Sequence, residues 1–308
     1  MRRLSPLVFS SLLLATSAQA QNAQALSMPP VHRWIKLGPV AMPSLLQVPV
    51  SCGANTATGR CPLVVISHPR AQDALRMRDS ARVGAISQAL LAANFAVLLS
   101  DDGGVNTWGS PAALREVGQI HKDAAKRFAW NGRTYALGIS MGGLLSLRSA
   151  LPNAPYRVEG VTLLDAWVNL RSAWGSAQSR RDEINAAYGQ KVAPAPTLDP
   201  LSLALKAAPL PLLVMSSPDD TVVPAKNNAH LIAPRAEVGV SEFVKLTGPH
   251  LGGNRFTPQM IARMVGFFQK LEKRAKSRQA KEFPGVPLVM PPTTEYADRL
   301  RRLLSRSA

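Results

Sequence analysis

A Gly-x-Ser-x-Gly pattern around Ser140 is the strongest chemical signal in the chain. The stretch reads Gly138-Ile139-Ser140-Met141-Gly142-Gly143. This is the pattern of a nucleophile elbow, in which a serine stands on a sharp turn between a strand and a helix. A hydroxyl held there projects above the sheet, at a helix N-terminus whose dipole favours a developing negative charge. We therefore predict that Ser140 is a covalent nucleophile.

A serine hydroxyl is a weak nucleophile at neutral pH and needs a positioned base and a third group that orients the base. Two histidines follow Ser140 in the chain. His230 lies among apolar residues with helical spacing, which favours a packing role. His250 lies in a loop rich in glycine and proline at residues 247–253, directly after the last predicted strand. Because that position suits a side chain that reaches over the edge of a sheet, we predict that His250 is the base.

Two adjacent carboxylates are candidates for the group that orients His250. Asp219 and Asp220 follow an apolar run at residues 212–216. Adjacent side chains do not easily point to the same place, so we expect one carboxylate to face His250. The other would cap the helix that begins near Pro224 or meet solvent.

The elements that must position these residues alternate along the chain. Apolar runs typical of buried strands alternate with helical patterns, which predicts a mostly parallel sheet covered on both faces. The predicted strands lie at residues 63–67, 95–100, 134–139, 161–164, 210–216 and 242–246. The predicted helices lie at residues 78–93, 116–129, 141–150, 225–232 and 258–276, and two antiparallel edge strands are expected at 34–37 and 45–50.

The elbow, the order of serine, aspartate and histidine, and the strand rhythm between residues 63 and 268 resemble the α/β-hydrolase fold family. The resemblance covers about two thirds of the 308 residues. It implies an α/β-hydrolase fold, with a mostly parallel central sheet flanked by helices and a small cap insertion. The fold domain would span residues 21–276.

The resemblance also selects among the carboxylates. In that family the acid commonly stands in the pattern D-x-x-V-P, which fits Asp220 and not Asp219. Some members carry the acid at the position of Asp165, after the strand at 161–164. Here we expect Asp165 to line the pocket or anchor the insertion.

An oxyanion hole is implied by the same resemblance. One donor would be the backbone N–H of Met141, and the other would come from the loop after the strand at 63–67. The family often has His-Gly-x in that loop, whereas this chain has His68-Pro69-Arg70. Because proline has no N–H, we expect the backbone of Arg70 to donate, and His68 to support the loop.

About forty residues, 166–205, separate the strands predicted at 161–164 and 210–216. This segment contains Trp167, Trp174 and Tyr188. It predicts either a small cap or lid over the site, or ordinary crossover helices with packed aromatic residues.

A loop at residues 101–108 follows the strand predicted at 95–100. Asp101 and Asp102 form either a structural turn or an acidic metal site. We favour the turn, because two adjacent aspartates without a nearby histidine or cysteine are weak ligands. Trp108 in the same loop is a candidate to line an acyl or aromatic pocket.

The N-terminal residues predict export. Arg2 and Arg3 precede an apolar run at residues 7–15, and Ala18-Gln19-Ala20 has the form of a signal-peptidase site. The run is shorter than the ~20 residues of a spanning helix, so we predict a signal peptide at 1–20 and a periplasmic or secreted protein. Cys52 and Cys61, the only cysteines, then predict one disulfide bond.

The chain is strongly basic, with a formal net charge of +17. Much of the excess lies late, in a predicted Pro-rich basic tail at residues 277–308 and the helix before it. We expect a solvated helix face and tail, or contact with an anionic surface. Nucleic acid is not expected as a partner, because aromatic residues are few and no recognition motif is present.

Together these features predict an exported serine hydrolase that cleaves an ester through Ser140, His250 and Asp220, as a carboxylesterase or lipase does. The expected substrate is a small-molecule or lipid-like acyl compound, and no cofactor or metal is implied. The alternatives are a peptidase or acyltransferase that uses the same residues, and a catalytically silent binding protein on the same fold.

Overall fold

The central sheet lies within residues 34–53 and 59–282, which are the residues that the computed structural model describes. The predicted signal peptide and the tail beyond residue 282 lie outside them. The strands are β1 Ile35–Leu37, β2 Ser44–Gln47, β3 Cys61–Ser67, β4 Ala96–Leu99, β5 Trp130–Ile139, β6 Val161–Leu164, β7 Leu212–Ser216 and β8 Glu242–Lys245. They form one sheet in the order β1-β2-β4-β3-β5-β6-β7-β8.

Strands β3 to β8 are parallel, and β1 and β2 form an antiparallel edge. This confirms the predicted mostly parallel sheet. All seven residues of β3 are buried, as expected for a strand with helices over both faces. Its side chains alternate: Val64 and Ile66 join a cluster with residues of the helices on one face, and Leu63 and Val65 join a cluster on the other.

The helices within the described residues are α1 Ala74–Asp79, α2 Ala81–Ala92, α3 Pro111–Ala125, α4 Gly142–Ser149, α5 Leu170–Ser176, α6 Gln178–Tyr188, α7 Pro200–Ala204, α8 Ala229–Ile232 and α9 Pro258–Glu282. Helices α1, α2 and α9 pack on one face of the sheet, and α3 packs on the other. The segment 166–205 contributes α5, α6 and α7. None of the helices in the described ranges is long and apolar enough to cross a membrane.

The helix boundaries differ from the prediction where capping residues intervene. The helix predicted at 78–93 is two helices, because Ser80 ends α1 and its hydroxyl accepts a hydrogen bond from the N–H of Val83 in α2. Helix α3 begins at Pro111, five residues before the predicted start at 116, because Ser110 caps it.

Two further helices also depart from the predicted bounds. The helix predicted at 225–232 is a 3-10 helix, Ala225–Asn227, followed by α8. Helix α9 continues to Glu282, past the predicted end at residue 276. Its last turns are rich in lysine, arginine, glutamine and alanine, which are good helix formers despite their polarity.

Cys52 and Cys61 form the predicted disulfide, with a Cα–Cα distance of 5.8 Å. Both cysteines are buried against the core on the α3 side of the sheet. The bond joins the segment that follows β2 to the first residue of β3.

The strand register aligns the carboxyl ends of the parallel strands. Ser67 pairs with Gly138, and Leu164 pairs with both Ile139 and Met215. At the next pair, Ser216 lies opposite Lys245. The loops that follow these strands therefore start at one edge of the sheet, where ligands of such sheets are commonly bound.

Candidate active site

Ser140 occupies the sharp turn between β5 and α4 and has a φ of +52°. This left-handed conformation is strained for a residue other than glycine. The turn is held by backbone hydrogen bonds, since the N–H of Ser140 donates to Leu164 O at 3.1 Å and its carbonyl accepts from Trp167 N at 2.9 Å. The predicted strand, turn and helix are therefore present, and the end of β6 holds the serine in place.

The glycines of the elbow allow close approach and do not themselves carry the strain. A Cβ atom at Gly138 would lie 2.5 Å from Gly143 Cα, and one at Gly142 would lie 2.3 Å from Ser67 O. Neither glycine has a positive φ. The pattern is thus required because α4 packs directly against β3 and β5, and a larger residue would push the helix away.

A continuous hydrogen-bonded chain joins Ser140, His250 and Asp220. The Oγ of Ser140 lies 2.9 Å from His250 Nε2, and His250 Nδ1 lies 2.7 Å from Asp220 Oδ2. Ser140 and His250 are 110 positions apart in the chain and His250 and Asp220 are 30 apart, so the fold brings distant residues into contact. With the proton on Nδ1, the histidine donates to the carboxylate and its Nε2 can accept the serine proton.

Asp220 is buried and tightly bonded. Its Oδ1 accepts from the backbone N–H groups of Val222 and Val223, both at 2.8 Å. Burial raises the pKa of Asp220, but the hydrogen bonds from His250 and these two N–H groups outweigh it and hold the pKa below its usual value. The carboxylate is therefore ionised at neutral pH.

Asp219 points elsewhere. It is exposed, and its Oδ2 accepts a 2.7 Å hydrogen bond from the N–H of Gly248. Gly248 belongs to residues 246–252, which we call the His250 loop. Asp219 thus meets solvent, as one of the two adjacent carboxylates was expected to do, and it also helps to place the loop.

Asp165 and Arg255 form a buried ion pair under the His250 loop. Arg255 Nε lies 2.7 Å from Asp165 Oδ2, and both side chains are fully inaccessible to solvent. The same oxygen accepts from Leu251 N at 2.8 Å, and Arg255 also donates to Gly248 O at 3.2 Å. Asp165 therefore anchors the loop that carries His250, and not the insertion. Sequence reasoning missed Arg255, whose only signal was its nearness to His250 in the chain.

Oxygen and nitrogen atoms of Asp165, Asp220 and His250 lie within 4.8 Å of one another. Such a cluster has the residue types of a metal site. Here each carboxylate is already bonded to proton donors, and the guanidinium of Arg255 would repel a cation next to Asp165. The Asp165 carboxylate is thus occupied by Arg255 and Leu251, and that of Asp220 by His250 and two backbone N–H groups.

The backbone N–H groups of Met141 and Arg70 lie in the segments that follow β5 and β3, which are adjacent strands. Within the described ranges, neither N–H donates a hydrogen bond to another part of the chain. Both are therefore available to a ligand. Residues 68–72, which we call the Arg70 loop, turn at Ala71, where φ is +59°.

His68 is buried beneath the Arg70 loop. Its Nδ1 lies 2.7 Å from Pro69 O, its Nε2 lies 3.0 Å from Asp101 O, and its backbone N–H donates to Asp102 Oδ2 at 3.0 Å. His68 thus supports the loop and does not reach Ser140. Asp101 and Asp102 belong to the turn beside it, and burial raises the pKa of Asp101 to about 6.

Helix α6 of the insertion contacts the Arg70 loop through Glu183. This carboxylate accepts from Arg70 Nε at 2.8 Å and from Trp108 Nε1 at 2.9 Å. Burial raises the pKa of Glu183, but the hydrogen bonds from Arg70 and Trp108 outweigh this effect and hold the pKa below its usual value. Tyr188, also on α6, donates to Trp108 O at 3.0 Å. Glu183 had no motif around it, so sequence reasoning did not single it out.

A cavity of about 470 Å³ opens beside Ser140 and His250. Its volume suits a small-molecule ligand. The expected Trp108 lines it, and so does Trp167 from the start of the insertion. Its other apolar lining residues include Met77 and Val83 of the α1 and α2 helices, Ile139 of the elbow, Leu251 of the His250 loop and Phe256 of the 3-10 helix Gly253–Phe256.

Solved structures of esterases share this architecture. Est1E from Butyrivibrio proteoclasticus has a TM-score of 0.58 and 14% sequence identity, over 78% of this chain and 99% of that chain. An S-formylglutathione hydrolase from Agrobacterium tumefaciens has a TM-score of 0.57 and 14% identity, over 78% and 94%. Esterase B from Lactobacillus Rhamnosis has a TM-score of 0.55 and 13% identity, over 82% and 88%.

No protein-family model matches the sequence, and no curated protein sequence is significantly similar to it. The likeness to the solved structures, together with the sheet order and the elbow, defines the class of fold. The chain has the α/β-hydrolase fold, as its motifs predicted.

Proposed function

We propose that this protein is a serine ester hydrolase that works through an acyl-enzyme intermediate. The observation that carries the proposal is the chain of hydrogen bonds from Ser140 through His250 to the ionised Asp220, beside an open cavity. The esterases and the S-formylglutathione hydrolase of the same fold support an ester, or a thioester, as the bond that is cleaved.

In this mechanism Ser140 Oγ attacks the carbonyl carbon while its proton passes to His250 Nε2. The imidazolium is stabilised by Asp220. The negative charge on the carbonyl oxygen is met by the N–H groups of Met141 and Arg70, each donor being worth about 3 kcal/mol in the transition state.

The tetrahedral intermediate then collapses, and His250 gives its proton to the leaving alcohol oxygen as the carbon–oxygen bond breaks. Water enters and loses a proton to His250 while its oxygen attacks the acyl carbon. When this second intermediate collapses, the proton returns to Ser140 and the carboxylic acid leaves. Every proton transfer passes through Nε2, so no cofactor is needed.

A fluorophosphonate probe and a series of p-nitrophenyl esters test the proposal. The wild-type protein should be labelled and should hydrolyse the esters, and Ser140→Ala should lose labelling and about 10⁴-fold or more in kcat. A faster release of aminoacyl anilides than of esters would replace the ester hydrolase with a peptidase. Faster acyl transfer to an added alcohol than to water would make it an acyltransferase. Absence of both labelling and turnover would leave a silent binding protein.

We also propose that the protein is exported to the periplasm or the medium and that residues 166–205 act as a cap. The disulfide supports export, because such bonds persist in oxidising compartments. The contacts of α6 with Arg70 and Trp108 support a cap that is docked onto the site. Mass analysis of the purified mature protein should find Gln21 as the first residue.

A further inference from the structure

Positive charge is concentrated in the cavity beside Ser140. Three arginines are among its lining residues: Arg70 from the loop after β3, Arg82 from α2 and Arg180 from α6. No aspartate or glutamate is among the described residues that line it. A ligand in this cavity therefore meets cationic side chains on three different elements.

The three arginines differ in how their charge is balanced. Arg70 is paired with Glu183. Arg82 is exposed, donates to Leu251 O at 3.1 Å and lies over the ring of Phe256. Arg180 is partly buried, and within residues 34–53 and 59–282 no carboxylate lies within ion-pair distance of it.

Arg180 is also held in a defined place. Its guanidinium lies 5.4 Å from the centre of the Trp167 ring, and its Nη1 donates to Ser176 Oγ at 2.9 Å. A guanidinium that lies over an aromatic ring and bonds through one edge leaves its other N–H groups for a planar anion. Burial and the positive charge of Arg70 lower the pKa of Arg180 by more than the carboxylates of Glu183 and Asp220 raise it, so a bound anion would stabilise this guanidinium.

We propose that Arg180 is a specificity-determining residue that binds a carboxylate of the substrate, so that the preferred substrates are esters that carry a free carboxylate. This inference rests on the proposed ester hydrolase function and names the substrate class of the same site. Arg82 adds to the positive potential that attracts such a substrate, whereas the charge of Arg70 is balanced by Glu183. The apolar side chains that line the rest of the cavity then hold the carbon chain between the carboxylate and the scissile bond.

Two pairs of esters test this proposal and distinguish where the carboxylate lies. On the acyl side, 4-nitrophenyl hydrogen adipate is compared with 4-nitrophenyl hexanoate. On the alcohol side, 4-acetoxybenzoate is compared with 4-acetoxybenzamide. For each pair the ratio of kcat/KM, anionic ester over neutral ester, is measured in the wild type and in variants, because comparison between proteins cancels the intrinsic reactivity of the esters.

In Arg180→Gln we expect this ratio to fall about tenfold or more for one of the two pairs, as the loss of a charge-assisted hydrogen bond predicts. Arg180→Lys should retain part of the ratio, because the charge remains while the planar fork is lost. Arg181→Gln is the matched control: Arg181 is the next residue of α6, lies over Trp174 and is not among the lining residues of the cavity. Its ratio should stay within about twofold of the wild type.

Ratios that are the same in Arg180→Gln and the wild type for both pairs would overturn the proposal while ester hydrolysis itself stands. Absence of turnover and of fluorophosphonate labelling would instead remove the proposed function. A binding measurement then decides the role of Arg180 without turnover. Calorimetry should show that Ser140→Ala binds 4-nitrophenyl hydrogen adipate or 4-acetoxybenzoate about tenfold more tightly than Ser140→Ala/Arg180→Gln does. Equal affinities for both compounds would overturn it.

Discussion

On one side of Ser140 the His250 loop lies on the ion pair of Asp165 and Arg255, whose side chains have 0% exposure. On the other side the Arg70 loop is tied to α6 by the pair of Arg70 and Glu183, whose side chains are 40% and 20% exposed. The ion pair of Asp165 and Arg255 is shielded from solvent and lies at the edge of the sheet. The ion pair of Arg70 and Glu183 is open to water and involves a residue of the insertion. The groups that we propose to move the proton are thus fixed by the core of the fold. The groups that we propose to meet the substrate instead contact the segment 166–205, and surface segments of this kind vary most easily.

The largest effect expected on the proton-transfer side comes from Asp220→Asn. The amide cannot hold the histidine in the required tautomer, so kcat should fall about 10³-fold to 10⁴-fold with the fold intact. Asp219→Asn is the matched control and should cost less than about tenfold, because Asp219 bonds only the backbone of the loop. If Asp165→Asn removed activity and Asp220→Asn did not, the acid would have to be reassigned to Asp165.

Breaking the buried pair should be the most damaging change to stability. Arg255→Ala leaves Asp165 charged and without its partner, which typically costs about 3–5 kcal/mol. Urea denaturation followed by tryptophan fluorescence would measure the loss of unfolding free energy. Arg263→Ala removes the exposed ion pair with Glu242 and should cost about 1 kcal/mol or less. Equal losses of unfolding free energy in Arg255→Ala and Arg263→Ala would mean that the buried ion pair contributes no more to stability than an exposed one.

A buried carboxylate beside the Arg70 loop, that of Asp101, should make the stability of this side of the site depend on pH. Asp101, beside the Arg70 loop, is buried, and its Oδ1 has no hydrogen-bond partner within the described residues. Its pKa rises from 3.8 in the unfolded chain to about 6, so the folded state binds the proton more tightly and its stability falls as the pH rises through this interval.

Asp101→Asn removes this titration. The variant should be within about 0.5 kcal/mol of the wild type near pH 4 and should exceed it by up to about 3 kcal/mol above pH 7, the free energy that corresponds to a rise of the pKa from 3.8 to about 6. Thermal unfolding of both proteins across this pH range would measure the difference. A gap that is constant with pH would show that Asp101 titrates normally.

The smallest effect is expected from Glu183→Gln, which keeps an acceptor for Trp108 but removes the charge that attracts Arg70. We expect kcat/KM to fall about twofold to fivefold at low salt, because the pair is only partly buried. Added salt should slow the wild type toward the variant and leave the variant nearly unchanged. Asp182→Asn, at the preceding exposed residue, is the control. If Glu183→Gln were as active and as salt-sensitive as the wild type, the conformation of the Arg70 loop would not depend on its ion pair with the insertion.

The parts of the site that follow from the sequence are those with a local pattern. The elbow is encoded by small residues at fixed spacing, because a Cβ at Gly138 or Gly142 would collide with the neighbouring backbone. His250 could be selected because it follows the last strand in a loop rich in breakers. The disulfide followed from the only two cysteines of the chain together with the predicted export.

The contacts that no pattern reveals are pairs of charged residues far apart in the chain. Asp165 and Arg255 are 90 residues apart, and Arg70 and Glu183 are 113 apart. The sequence singles out Asp165 and the backbone of Arg70 but gives no sign of the charged partner of either, because only the closing of the sheet and the docking of α6 bring these pairs together. The helix starts missed at Ser80 and Ser110 have a different cause, because serine hydroxyls cap helices but are also common inside loops.

The φ of +52° at Ser140 has a consequence for how the molecule tolerates change. A glycine would occupy this turn at a conformational cost that is lower by about 1 kcal/mol or more. The backbone conformation at this position therefore disfavours the serine that occupies it. A protein under selection for stability alone would drift toward glycine here. The serine at this position therefore carries a conformational cost that a glycine would avoid, and its proposed role as the nucleophile accounts for that cost.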